Sequence, residues 1–108
     1  MWKVAYHPQA EAELARLIPA ERVAVLHAVE KLAALGPALP FPHQSNIQGA
    51  SGLRELRPRA GRSRWRGIYG QVEEVFVVAA IGPEAKVDPR GFKRAVRAAT
   101  LRLAEIEP

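Results

Sequence analysis

Arginines are concentrated in one short segment, and they are the residues of this chain best suited to chemistry. Residues 54–66 contain six arginines against one acidic residue, Glu55. The chain of 108 residues carries 16 Lys+Arg and 11 Asp+Glu, a formal net charge of +5, and the residues on either side of the segment balance to zero. The segment therefore holds the entire excess of positive charge. Such a block predicts a polyanionic partner, nucleic acid first, because guanidinium groups bind phosphate through paired N–H donors.

The arginine segment also predicts a β-hairpin with a definite register. Two stretches with strand character, 53–59 and 62–69, flank Ala60-Gly61, which suits a two-residue turn. Opposed positions then pair Glu55 with Arg66, Arg57 with Arg64, and Arg59 with Arg62. Like charges directly opposed on a sheet cost on the order of several tenths of a kcal/mol per pair. Opposed arginines are therefore best explained by an anion that lies across them, and a longer loop would remove this pairing.

Several features of the segment allow two interpretations, one structural and one functional. A run of charge is also typical of an ordinary solvated surface. A structural ion pair between Glu55 and Arg66 is favoured over a catalytic couple. Packing of Trp65 on Leu56 is favoured over stacking on a nucleobase. Tyr69, near the end of the second strand, fits either the core or a site.

Other chemistry finds little support in the sequence. There is no cysteine, and the three histidines, His7, His27 and His43, are widely spaced, which argues against a structural zinc site. His43 follows Pro42 in an extended connector and can serve as an acid or base, although a lone loop histidine is usually a surface residue. No stretch approaches the roughly 20 apolar residues that span a bilayer. We expect one cytoplasmic domain over residues 1–108, with no metal and no cofactor.

The elements that must position these residues follow from hydrophobic periodicity. The pattern predicts a strand over 2–6, helices over 8–18 and 19–35, an extended connector over 37–52, strands over 53–59, 62–69 and 75–81, and a last helix opened by Asp88-Pro89. The strand over 75–81 is apolar throughout, which is typical of a central strand covered on both faces. The expected buried stripe of the last helix is Phe92, Val96, Ala99, Leu103 and Ile106. This order, β-α-α-β-β-β-α, predicts an α+β domain with a mainly antiparallel sheet, an αα-hairpin and a C-terminal helix.

At this point the sequence resembles the RelE/ParE/HigB toxin superfamily, particularly its phage-derived HigB-like branch. The resemblance runs through Leu35-Gly36-Pro37, Pro42-His43, Gly52-Leu53-Arg54-Glu55-Leu56-Arg57-Pro58, Arg64-Trp65-Arg66-Gly67-Ile68-Tyr69, the apolar strand over 75–81, and Asp88-Pro89. It implies the compact RelE-like toxin fold across the chain. It also implies the toxin of a type II toxin–antitoxin system, with mRNA endonuclease activity that depends on the ribosome.

The resemblance further implies a mechanism and partners. The ribose 2′-OH would attack its adjacent phosphate, with Arg57 and Arg66 holding that phosphate and with Lys86, Tyr69 and His43 as candidates for proton transfer. The arginines expected to bind RNA are Arg54, Arg59, Arg62, Arg64 and Arg90. The implied partners are mRNA on the ribosome and a cognate antitoxin of the helix-turn-helix type, with no membrane.

Two departures from the family pattern keep other functions open. Relatives of this branch often carry a lysine pair after the apolar strand, where this chain has Pro83-Glu84 and a displaced Lys86. Lysines that flank the second strand in RelE-type toxins correspond here to Leu53 and Glu55. The alternatives are a ParE-like inhibitor of DNA gyrase on the same fold, and a catalytically faded domain that binds RNA or an antitoxin. The opposed arginines favour RNA over gyrase.

Overall fold

The computed structural model describes residues 1–106 as a five-stranded sheet with helices on both faces. Its elements are β1 (Lys3–Tyr6), α1 (Pro8–Ala15), α2 (Pro19–Leu35), β2 (Gln44–Asn46), β3 (Arg54–Leu56), β4 (Trp65–Val72), β5 (Val75–Pro83) and α3 (Pro89–Ile106). A short 3₁₀ turn follows α2 at Gly36–Ala38, and an irregular turn follows β3 at Pro58–Gly61. Of the predicted domain over 1–108, residues 107 and 108 lie outside the described residues.

The strand order of the sheet is β1-β5-β4-β3-β2. β1 runs parallel to β5, and the other neighbours are antiparallel. The predicted α+β class and mainly antiparallel sheet are therefore confirmed, as is the central position of the apolar strand β5. The strand β2 was not predicted, because its three residues, Gln44, Ser45 and Asn46, are all polar and show no hydrophobic alternation.

Two apolar layers hold the helices against the sheet. On one face, α1 and α2 contribute Leu14, Val25 and Leu32 to a core that includes Leu56 and Val78. On the other face, α3 packs on Leu53, Ile68, Val77 and Ala79. From Phe76 to Ala79 the residues of β5 alternate between the two cores, as the period of a strand requires. Ala80 joins Ala79 in the second core, where the pairing with β4 shifts register. No helix within residues 1–106 has both the length and the apolar character needed to cross a membrane.

Four of the five predicted helix boundaries are correct, among them the start of α1 at Pro8. α2 begins at Pro19 and ends at Leu35, as the proline and the following Gly36-Pro37 indicate. Asp88 caps α3, since its Oδ1 accepts the Gly91 N–H at 2.9 Å. The exception is α1, which ends at Ala15 instead of Ile18. Ile18 precedes a proline and takes an extended ψ of 151°, a conformation that the following proline favours and that a helix excludes.

The predicted buried stripe of α3 is only partly correct. Ala99 and Leu103 are buried, but Phe92 and Val96 are half-buried and Ile106 is 42% exposed. Small residues face the sheet instead, led by Gly91 and Ala95. Small residues are needed on this side of α3 because the helix lies very close to β5. A Cβ atom at Gly82 of β5 would lie 2.5 Å from the Cβ of Ala95. α3 therefore packs closely on β5 at a point where both elements carry small side chains.

The predicted register of the arginine hairpin is wrong. In the structure Arg54 pairs with Tyr69, Glu55 with Ile68 and Leu56 with Gly67. The connection is not a two-residue turn but an eight-residue loop over 57–64, which follows β3 and precedes β4. Arg59 and Ala60 take left-handed φ values of 54° and 55° inside it. Because of this loop, the opposed pairs Arg57–Arg64 and Arg59–Arg62 do not form.

A partly buried ion pair ties α1 to β5 and α3. The carboxylate of Glu13 accepts from both Nη atoms of Arg102, at 3.0 and 2.9 Å, and from the Ile81 N–H at 3.0 Å. Burial alone would raise the pKa of this carboxyl, but the hydrogen bonds from Arg102 and Ile81 outweigh it and hold the pKa below its ordinary value. The charged pair therefore joins the two faces of the sheet.

The contact between Gly82 and Ala95 can be tested with a matched pair of glycine variants. We expect Gly82→Ala to lower the free energy of unfolding by about 1–3 kcal/mol, because the added methyl pushes α3 off β5. Gly67→Ala on the adjacent strand meets Leu56 at an ordinary 3.5 Å, and we expect a change within about 0.5 kcal/mol. Urea denaturation followed by circular dichroism measures both. Equal effects of the two variants would contradict this packing.

Candidate functional site

Arg66 is the most buried of the six arginines, with a relative exposure of 2%. A guanidinium has five N–H donors, and all five find acceptors. Nε donates to Glu55 Oε1 at 3.2 Å, and Nη1 donates to the carbonyl oxygens of Ser63 and Trp65 at 2.7 and 3.0 Å. Nη2 donates to the Gly61 carbonyl at 3.2 Å and to the carboxylate of Glu84. Arg66 therefore organises the loop over 57–64 and fastens it to the end of β5.

This placement changes the role expected for Arg66. The predicted ion pair with Glu55 forms, between diagonal rather than directly opposed neighbours on β3 and β4. The guanidinium lies between two carboxylates, those of Glu55 and Glu84. No donor remains for a phosphate, and the side chain is shielded from solvent. Arg66 is therefore a structural residue in this conformation, in contrast to its predicted function as a phosphate ligand.

Arg57 is held on one side and open on the other. Its Nε donates to the Pro42 carbonyl at 2.9 Å, its Nη1 donates to Glu55 Oε1 at 3.0 Å, and its guanidinium lies 5.2 Å from the centre of the Phe41 ring. Nη2 has no hydrogen-bond partner within residues 1–106. A Cβ atom at Gly61 would lie 2.5 Å from Nη2, so the guanidinium lies directly against this glycine, where no side chain would fit. Arg57 thus presents a fixed cation with free donors.

Arg57 lines a groove of about 610 Å³, which we call the α2 groove. One wall is α2, and the other consists of the turn before β2 and the loop after β3. The lining residues are Ala20, Val23, Ala24, His27, Ala28, Glu30, Lys31 and Ala34 from α2, with His43, Arg57 and Arg59 opposite. Three predicted site residues, His43, Arg57 and Arg59, therefore meet in one place. The sequence did not predict His27 and Lys31 as site residues. The one signal was their spacing of four, which places both side chains on the same polar side of α2.

Arg59 closes one end of the α2 groove and is already paired. Its Nη1 donates to both carboxylate oxygens of Glu21, at 3.1 and 2.8 Å, and its Nη2 donates to the Ala20 carbonyl at 3.2 Å. Glu21 also accepts from Ser63 Oγ at 2.7 Å, and this bond together with those from Arg59 lowers the pKa of the carboxyl. Arg59 therefore anchors the loop to α2 more than it offers charge to a ligand.

The remaining predicted residues lie outside the α2 groove. Tyr69 is 2% exposed and packs edge-on against Phe76 at 5.9 Å, and burial raises the pKa of its phenol. This places Tyr69 in the core, away from any proton-transfer site. The exposed cations are Arg54 on β3, Arg62 and Arg64 in the loop, and Lys86 and Arg90 near the start of α3. They lie at several points of the surface, and none lines the α2 groove.

Trp65 belongs to the core, as the favoured interpretation predicted. It is half-buried against the apolar cluster under α1 and α2. The guanidinium of Arg64 lies 5.8 Å from the centre of its ring. Within residues 1–106, no group of three or more His, Cys, Asp or Glu side chains is arranged to hold a metal ion.

Comparisons with known proteins agree with this architecture. Residues 12–81 match the family model described as "Phage derived protein Gp49-like". A mutant of the E. coli toxin RelE in the free state superimposes with a TM-score of 0.64 at 14% identity, over 89% of this chain and 95% of that one. The archaeal RelE–RelB complex from Pyrococcus horikoshii gives a TM-score of 0.56 at 22% identity, over 76% and 93%. No curated protein matches in sequence. The predicted resemblance and the RelE-like fold are thereby confirmed.

The structural role of Arg66 can be tested by removing its charge. We expect Arg66→Met to lower the free energy of unfolding by about 3–5 kcal/mol, because two carboxylates lose the cation that compensates their burial. Arg64→Met, two residues earlier and exposed, should change it by less than about 0.5 kcal/mol. Urea denaturation at pH 7 measures both variants. If they were equally stable, Arg66 would not organise the loop.

Proposed function

The chain belongs to the phage-derived Gp49-like family and has the fold of the RelE toxins, and we propose that it is the toxin of a type II toxin–antitoxin system that cleaves mRNA on the ribosome. The observation that carries the nuclease proposal is the arrangement of Arg57 in the α2 groove. A fixed guanidinium with free donors lies beside a histidine, in a concave surface lined by further cations. This combination suits a phosphodiester better than it suits a protein surface.

Cleavage begins when a ribose 2′-OH attacks its adjacent phosphate. Negative charge develops on the non-bridging oxygens, and donors already aimed at that position stabilise it without a cost in reorganisation. Arg57 meets this requirement, because Pro42, Glu55 and Phe41 fix its guanidinium before any substrate arrives. In the proposed mechanism its Nη2 edge binds the phosphate.

The attack also needs a group that accepts the 2′ proton, and His43 takes that role. Imidazole is the side chain whose ordinary titration lies nearest to neutral pH. The Arg57 N–H donates to the His43 carbonyl oxygen at 2.9 Å, so the backbone couples the proposed base to the proposed phosphate ligand. Both side chains line the α2 groove. This arrangement supports a shared substrate position.

The other cations contribute in different ways. Arg54, Arg62, Arg64 and Arg90 are exposed, so they attract RNA through long-range electrostatics that salt screens. Lys86 lies with them at the surface, and we assign it no proton transfer. The chemistry is therefore confined to the α2 groove, and the surrounding charge serves to concentrate the polyanion.

We propose that a cognate antitoxin of the helix-turn-helix type neutralises the toxin in the cytoplasm. The archaeal RelE used for comparison is in a complex with RelB, which supports a protein partner for a chain with the same fold. An antitoxin segment with acidic side chains would compete with RNA for Arg57 and the exposed arginines.

The nuclease proposal is tested by controlled expression of three forms of the protein. We expect the wild type to arrest growth and to produce mRNA ends in phase with codons. Arg57→Ala should reduce cleavage at least about 100-fold, the cost of losing one preorganised donor. Arg97→Ala, an exposed arginine of α3 outside the groove, is the matched control and should cleave like the wild type. Mapping of mRNA 5′ ends with and without ribosomes measures each form.

Two results would contradict the proposal. Growth arrest with intact mRNA and inhibited DNA supercoiling would identify a gyrase inhibitor on this fold. Soluble, folded protein without any arrest would identify a catalytically faded domain. Circular dichroism establishes that each variant is folded before its activity is compared.

A further inference from the structure

The α2 groove contains a second histidine to which the mechanism above gives no role. His27 lies on α2, four residues before Lys31, and its side chain is exposed. It lines the same groove as His43 and Arg57 although 16 residues separate the two histidines in the chain. The two imidazoles come from opposite walls, His27 from the helix and His43 from the turn before β2.

The reaction needs two proton-transfer groups in this relative arrangement. As the 2′-oxygen attacks phosphorus from one side, the 5′-oxygen leaves from the opposite side, so the base and the acid must approach the phosphate from opposite directions. A general acid contributes about 10²–10⁴-fold when it protonates a poor leaving group. His43 and Arg57 share one wall, and the facing wall is where an acid must lie.

We infer that His27 is the general acid of the proposed cleavage and that it protonates the departing 5′-oxygen. The inference rests on the proposed function. In the step, the 2′-oxygen forms a bond to phosphorus as its proton passes to His43, and the bond from phosphorus to the 5′-oxygen breaks as His27 donates a proton. The products are a 2′,3′-cyclic phosphate and a 5′-hydroxyl. No metal ion or other co-reactant enters the balance.

The other groups along the groove fit a nucleotide between the two histidines. Lys31, one helical turn from His27, adds a cation on the α2 wall. Glu30 and Arg59 are the remaining charged lining residues. The alanines of α2 keep the space between the walls free, and the volume of about 610 Å³ lies within the range of about 300–1,000 Å³ typical of small-ligand sites.

A substrate with sulfur in place of the 5′-bridging oxygen tests this assignment. A thiolate leaves without protonation, so a variant that lacks only the general acid regains activity on it. The substrates are two synthetic mRNAs, one with oxygen and one with sulfur at the same codon, on programmed ribosomes. We expect His27→Ala to lose at least about 100-fold on the oxygen substrate and to cleave the sulfur substrate within a few-fold of wild type. His43→Ala should remain impaired on both.

Lys31→Ala is the matched control, since a lost cation lowers cleavage of both substrates alike. If His27→Ala cleaves the oxygen substrate like wild type, or is equally impaired on both substrates, His27 is not the acid and the inference is overturned. Loss of the RNA 5′-hydroxyl product in favour of a 5′-phosphate would overturn it as well. In the first two cases a strong defect of Arg57→Ala would leave the proposed cleavage intact. A 5′-phosphate product would contradict the 2′-OH attack as well, and an inactive wild type would remove both proposals.

Discussion

A buried guanidinium is stable only when each of its five N–H groups finds an acceptor, and Arg66 imposes this condition on the surrounding chain. The acceptors come from β3, from three carbonyl groups at and around the loop over 57–64, and from Glu84 beyond β5. The loop must therefore curl over the end of β4 and cannot close as a tight turn. The positions of Arg57, Arg59, Arg62 and Arg64 follow from that path.

The same constraint connects stability to the site. Glu55 Oε1 accepts from both Arg66 and Arg57, so the carboxylate that compensates the buried cation also fixes the half-buried Arg57. Glu21 accepts from Ser63 and Arg59 and so attaches the loop to α2, which forms one wall of the α2 groove. One cluster of arginines thus divides into a structural member, an anchor and a ligand-facing member. The three side chains are chemically identical. Their roles differ because they differ in burial and in the hydrogen-bond acceptors that surround them.

Sequence reasoning recovered the parts of this molecule that local rules determine. Apolar runs, prolines and an aspartate cap located β5, the start of α2 and the start of α3. The hairpin register was wrong because Ala60-Gly61 satisfies the local rules for a turn, whereas the actual loop depends on the tertiary contacts of Arg66. The strand β2 was not predicted because it contains no apolar residue. His27 was not connected to His43 because the fold alone brings α2 beside the turn before β2.

In the proposed mechanism Arg57, and not Arg66, is the arginine that binds phosphate. The most direct measurement is ¹⁵N NMR of the arginine guanidinium groups during titration with a 2′-O-methyl RNA oligonucleotide, which lacks the attacking hydroxyl. We expect the signals of Arg57 to shift progressively with added RNA while those of Arg66 stay fixed and remain protected from exchange. Shifts at Arg66 with Arg57 unaffected would show that Arg66 binds the phosphate instead.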